Sequence, residues 1–146
     1  MTRIQLNTPI EVEEDGRIIK QDYLELSRVT VKDVKQYLSG SFLSKKMEFQ
    51  DMMLGLQDKY PEPKKDEKES EEDQSKRHTK IGREMGKQFF EIFNDNDIVN
   101  MLGALSKLPV KALETIDFFD ISDMIGEITP FLLPSQIMTG KSSSGQ

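Results

Sequence analysis

The chain has no cysteine, no tryptophan and a single histidine among 146 residues. Without cysteine there is no disulfide, no thiolate metal site and no thiol nucleophile. The lone His78 follows a run of charged residues, so a Ser–His–Asp arrangement has no ordered base to build on. No stretch of about 18 apolar residues occurs, which leaves no helix to cross a membrane. The opening "MTRIQLNTPI" lacks the apolar core of a signal peptide. Positive charge is also short: 20 Lys and Arg against 26 Asp and Glu give a net charge of −6. A nucleic-acid partner needs clustered cations to displace counterions, so none is expected. No glycine-rich phosphate loop is present. Asp95 and Asp97 resemble the start of a calcium loop, but Asn100 stands at the glycine position and Ser106 at the glutamate position. The expectation is a protein that is not an enzyme, with no cofactor and no metal.

What is present is enough for one domain, or one domain with tails. Hydrophobic residues are 36% and charged ones 32%, which implies a modest core under a well-hydrated surface. Residues 3–28 alternate apolar and polar: Ile4 and Leu6, then Ile10 and Val12 after Pro9, then Leu24 and Leu26. Asp15-Gly16 between them is a hairpin signal, since both residues tolerate positive φ. The pattern predicts an antiparallel meander of two or three strands, too small to be stable without helices on its apolar face.

The helical patterns follow. Thr30 and Asp33 have capping-box spacing, with Val31, Val34 and Leu38 on one stripe and Gly40 as a stop. Over residues 42–56 one side gathers Phe42, Phe49, Met52, Met53 and Leu56, and another gathers Leu43, Met47 and Leu54. Either the helix is buried on two sides, or the Met-bearing side faces a partner, for which flexible methionine is suited. From Pro61 to Arg77 there is no large apolar residue, so residues 61–78 are expected to be a disordered charged linker.

A third helix is expected near Thr79, with Ile81, Met85, Phe89, Ile92 and Phe93 in a stripe. Phe90 lies off its centre, either in a wide core or exposed for binding. Gly82 and Gly86, four apart, would permit a close helix approach. Asp97 is read as the cap of a fourth helix bearing Ile98, Met101, Leu102, Leu105 and Leu108. Pro109 suits the start of a short fifth, anchored by Val110 and Leu113. Asp120 and Asp123 frame a last helix with the stripe Ile121, Met124, Ile125 and Ile128, and residues 135–146 have the composition of a flexible tail.

The expected architecture is therefore α+β. A small N-terminal β-hairpin or meander with two helices (1–60) packs on a C-terminal helical part (79–134), split by the charged insertion. The best candidates for partner contacts are Met47, Leu54, Phe90 and Phe93.

Two regions resemble the phage tail assembly chaperones of contractile-tailed phages. Residues 4–34, "IQLNTPIEVEEDGRIIKQDYLELSRVTVKDV", are similar to the family's opening: a strand, a proline, a DG hairpin and a strand leading into Leu26, Arg28, Thr30 and Asp33. Val29 stands where proline is common. Residues 101–132, "MLGALSKLPVKALETIDFFDISDMIGEITPFL", are similar to its ending. Residues 44–80 have no counterpart. The resemblance implies reversible binding that keeps the tape measure protein soluble and helps recruit the major tail protein, with self-association an open question. It implies work in the host cytoplasm and absence from the mature virion. Two other readings stand beside it: an acidic adaptor or regulatory module, and a structural tail component retained in the virion.

Overall fold

A computed structural model describes residues 2–64 and 68–133; the expected tail over 135–146 lies outside them. Two strands, β1 (Thr2–Glu14) and β2 (Arg17–Leu26), precede six helices: α1 (Val31–Tyr37), α2 (Gly40–Lys59), α3 (Glu71–Ile92), α4 (Asp95–Ser106), α5 (Val110–Leu113) and α6 (Phe118–Leu132). The chain is α+β, with an antiparallel hairpin on a helical body.

The hairpin turn has both central residues in the left-handed region, Asp15 at φ 51° and Gly16 at φ 77°. That is the geometry matching the right-handed twist of the strands. The sheet has two strands because β1 runs on through Pro9. Its register jumps: Gln5 faces Tyr23 and Ile10 faces Gln21, so Leu6–Pro9 bulge out opposite Asp22. A bulge tolerates proline, which has no N–H for the ladder. The bulge is held from the helical side. The Asp120 carboxylate accepts the N–H groups of Asn7 (2.9 Å) and Thr8 (3.0 Å), and Leu6 and Ile10 on either flank are buried.

The capping box of α1 forms as its spacing predicts: Thr30 accepts from the Asp33 N–H, and Asp33 accepts from the Thr30 N–H. Of its apolar stripe, only Leu38 packs against the core. Val31 is 72% exposed and Val34 39%. With seven residues, α1 is docked by two specific contacts instead. Asp33 pairs with Lys107, whose ammonium also donates to the carbonyls of Arg28 (2.9 Å) and Ala104 (2.7 Å). The ring of Tyr37 lies on Gly103, where a Cβ would stand 2.6 Å from the Tyr37 Cδ1. The close approach is thus at Gly103 in α4, while Gly82 and Gly86 face open space. Gly40 opens α2 rather than closing α1, which ends at the extended Leu38.

The Lys107 hydrogen bond, followed by the Thr30 N–H, lowers the Asp33 pKa from 3.8 to about 2. A carboxyl depressed on folding stabilises the fold above its unfolded pKa, and that contribution fades as pH falls through the folded value. Asp33→Asn is therefore expected to melt below the parent protein at pH 7. The gap should close as pH falls from about 4 to about 2. Thermal unfolding followed by circular dichroism across this range measures it; a gap that persists unchanged at the acid end would assign the loss to packing.

The expected linker is partly helical. Residues 65–67 lie outside the described residues, but α3 starts at Glu71, well before Thr79. Ser70 caps it by accepting from the Asp73 N–H (3.1 Å). Glu71, Glu72 and Asp73 fill its first turn, where acids complement the helix dipole. Arg77 clamps Glu69 with two bonds of 3.1 Å, and Glu72 meets Lys76 one turn on at 3.2 Å. A polar helix of this kind carries no apolar period, so hydrophobic patterning passes over it.

The core lies where α2 and α3 cross, under α4 and α6. Phe49 meets Phe89 edge-on at 6.2 Å and Phe93 at 5.9 Å, and Phe42 meets Phe93 at 6.1 Å. Asn94 is the residue that caps α4, and Asp97 completes the box from within the first turn. There Asp97 also pairs with Lys45 of α2. The start of α6 is capped by Asp117, while Asp120 turns inward to the β1 bulge.

Candidate functional site

Among the described residues, two groups of exposed apolar side chains stand on the longer helices. On α2 the stripe Phe42, Phe49 and Leu56 is buried. The opposite stripe stays out: Leu43 is 61%, Met47 64% and Leu54 46% exposed. Spacings of four and seven residues bring these three within about 40° of one another around the axis. The sequence left open whether this side is core or surface, and it is surface.

The second surface is aromatic. Phe90 of α3 is half-buried and rests edge-on against the core residue Phe89 at 5.3 Å. Its outer side meets Phe118 at 4.9 Å, and Phe118 meets Phe119 at 5.6 Å. Phe118 is 56% exposed and Phe119 72%. The three rings form a continuous ridge from the core to the solvent. Beside it runs a groove between α4 and the α5–α6 turn, lined by Ile98, Val99, Leu113, Ile116 and Ile121. Asp95 and Glu114 also line it, and among the described residues no lysine or arginine does.

Of the four residues singled out from sequence, three therefore reach the surface: Met47 and Leu54 on α2, and Phe90 on the ridge. Phe93 does not. It is 1% exposed and packed against Phe42, Phe49 and Phe89, because it closes α3 where the chain turns inward to α4. It is a core residue.

Phe118 and Phe119 were not singled out. Helical arithmetic contains half of the missing signal. Phe119 lies about 170° from the centre of the stripe Ile121, Met124, Ile125 and Ile128, on the outward side of α6. Phe118 lies only about 70° from that centre and reads as core. It is nevertheless more than half exposed, with Phe90 of α3 as its neighbour.

The remaining polar features are structural or solvent-facing. His78 is exposed on α3, beside Glu71, Gln74, Ser75 and Thr79. Asp33, Asp97 and Asp120, three acids among the buried polar residues, all serve helix caps, ion pairs or the β1 bulge. Among the described residues no three acidic or imidazole groups converge to hold a metal ion, and no helix is long and apolar enough to cross a membrane. What these surfaces offer chemically is apolar contact area, in two strips of different character. The comparisons with known proteins find no matching family model, no matching curated protein and no matching solved structure.

Proposed function

We propose that the protein is a phage tail assembly chaperone that binds the tape measure protein reversibly and helps recruit the major tail protein. The observation that carries this reading is the Phe90–Phe118–Phe119 ridge with its groove. Large exposed aromatics joined to an apolar groove mark a protein-binding surface. Spaced apolar anchors on a client helix would seat there, as in helix-in-groove recognition. The Leu43, Met47 and Leu54 strip on α2 supplies a second contact. Two modest contacts on one body give reversible binding, and many copies along a long client add avidity. The net charge of −6 keeps a coated client in solution by self-repulsion. The resemblance in residues 4–34 and 101–132 supplies the identity of the client. This activity belongs in the host cytoplasm, and the protein should be absent from purified virions.

The test is co-expression with a candidate tape measure protein. The client is expected to precipitate alone and to stay soluble with this chain. The double substitution Phe118→Ser with Phe119→Ser should abolish that rescue, shifting most of the client to the pellet. It should leave the melting temperature of the chaperone within a few degrees, since exposed substitutions change stability by about 0.5 kcal/mol or less. A client equally soluble without the chain, or rescued equally by the double variant, would refute the reading.

A further inference from the structure

The aromatic ridge stands in a surface that carries charge of one sign. Between Ala112 and Leu133 there are five acids, Glu114, Asp117, Asp120, Asp123 and Glu127, and no lysine or arginine. Asp117 caps α6 and Asp120 holds the β1 bulge. The other three are exposed, and among the described residues none of them enters an ion pair. Glu114 lines the groove together with Phe118, and Asp95 lines it from the first turn of α4. An adjoining hollow over Phe90, Phe93 and Phe118 is bordered by Asn94, Asp95 and Asn96. Asp123 follows Phe119 by one turn, about 40° around the axis of α6. The nearest bases in sequence are Lys87 on α3 and Lys111 on α5, and neither lines the groove or the hollow. Lys111 lies toward β1, beside Glu11 and Glu13.

An apolar ridge rimmed by carboxylates discriminates among partners by charge. Like charges brought together at an interface cost free energy, while opposite ones steer the encounter and fix its register. Phosphate-bearing partners, such as nucleic acids or anionic lipid surfaces, are repelled by these carboxylates. Two copies meeting ridge to ridge would set acid against acid, because a two-fold contact brings each patch against itself. What fits is an apolar helix face with lysine or arginine along its borders. The apolar anchors enter the groove, and the cations reach Glu114, Asp95 and Asp123 at its rim.

We propose that the client segment held at the Phe90–Phe118–Phe119 ridge is an amphipathic helix whose apolar face is bordered by lysine or arginine. This rests on the reading of the ridge as the client-binding surface and adds the chemistry of the segment. Exposed ion pairs are individually weak, so the apolar contact supplies the grip and the rim supplies the selection. Weak, salt-screened pairs also suit a contact that must release. A chain that is acidic as a whole, with a net charge of −6, draws a basic segment in from a distance.

Helix-forming peptides of about five turns serve as probes, read by fluorescence anisotropy against the full chain. One carries a leucine face bordered by lysine, a second the same face bordered by glutamate, and a third the lysines with serine in place of leucine. The lysine-bordered leucine probe is expected to bind about tenfold or more tighter than the other two. Glu114→Lys combined with Asp123→Lys should reverse the preference between the two leucine probes, weakening the lysine-bordered one about tenfold. Glu71→Lys combined with Glu72→Lys makes the same change in net charge about 28 Å from Phe90 along α3, and should move either constant less than about threefold. Phe118→Ser with Phe119→Ser should weaken the lysine-bordered probe as much as the rim variant does. Equal affinity for the two leucine probes, tight binding of the serine probe, an equal effect of the distant pair, or no binding at all overturns the proposal. So does a dimer that forms through the ridge and shuts the probe out. Solubility of the tape measure protein in co-expression is read separately. A rescued client alongside leucine probes of equal affinity would strike the charge rule and leave the chaperone reading standing.

Discussion

Replacing Phe93 by alanine is expected to lower the unfolding free energy by about 3–5 kcal/mol. The ring is 1% exposed and touches Phe42, Phe49 and Phe89 at 5.3–6.1 Å between centroids. Removing it takes away aromatic contacts from α2 and α3 together and leaves a void between them. Domains of this size are stable by only about 5–15 kcal/mol, so the variant should melt roughly 10 °C or more below the parent. Denaturant unfolding monitored by circular dichroism reads the loss directly. A change under about 1 kcal/mol, with client binding lost, would return Phe93 to the surface. Patterning puts Phe93 in the apolar stripe of α3 and Phe90 off its centre, although both are candidate contacts from the sequence. The two variants should separate sharply, because Phe90→Ser removes a ring that is already half in solvent.

Replacing Asp120 by alanine should cost about 2–4 kcal/mol, the worth of two hydrogen bonds to a charged acceptor less what water recovers. Asp120 is 3% exposed and accepts from the Asn7 and Thr8 N–H groups. Its loss leaves both donors of the β1 bulge without a partner at the junction of hairpin and helical body. The local signature is hydrogen exchange: the Asn7 and Thr8 amides should lose protection while amides beside the Asp15-Gly16 turn hold theirs. Asp120→Asn should recover part of the loss, since one oxygen remains but an NH2 group now faces an N–H. A stable alanine variant with slow exchange at both amides would show that the bulge is held by other means.

The two-residue turn at Asp15-Gly16, the capping box at Thr30 and Asp33, and the core stripes of α2, α3 and α6 were legible from residue types and spacing. Each is a local matter, set within a few residues by φ preferences, side-chain reach or the helical period. The N-terminal half of α3 was not legible, because its support is charge pairing and a serine cap rather than an apolar face. The exposed valines of α1 were not legible either. Seven residues are docked by an ion pair and by a ring on Gly103, and neither contact has a period to read.

The exposed apolar surface shows the same division. Periodicity placed Leu43, Met47 and Leu54 on one side of a helix, away from Phe42, Phe49 and Leu56. It could not say whether a second layer covers that side.

By itself the sequence determined the α+β class, the hairpin turn, the capping box of α1 and which residues share a face. Those depend on backbone sterics and on angles around a single axis. Only the tertiary structure decided that Phe93 is core, that Phe118 and Phe119 stand in solvent, and that Asp120 grips β1. Each of those depends on which neighbour arrives from a distant part of the chain, and the period of a lone helix or strand contains no information about its neighbours.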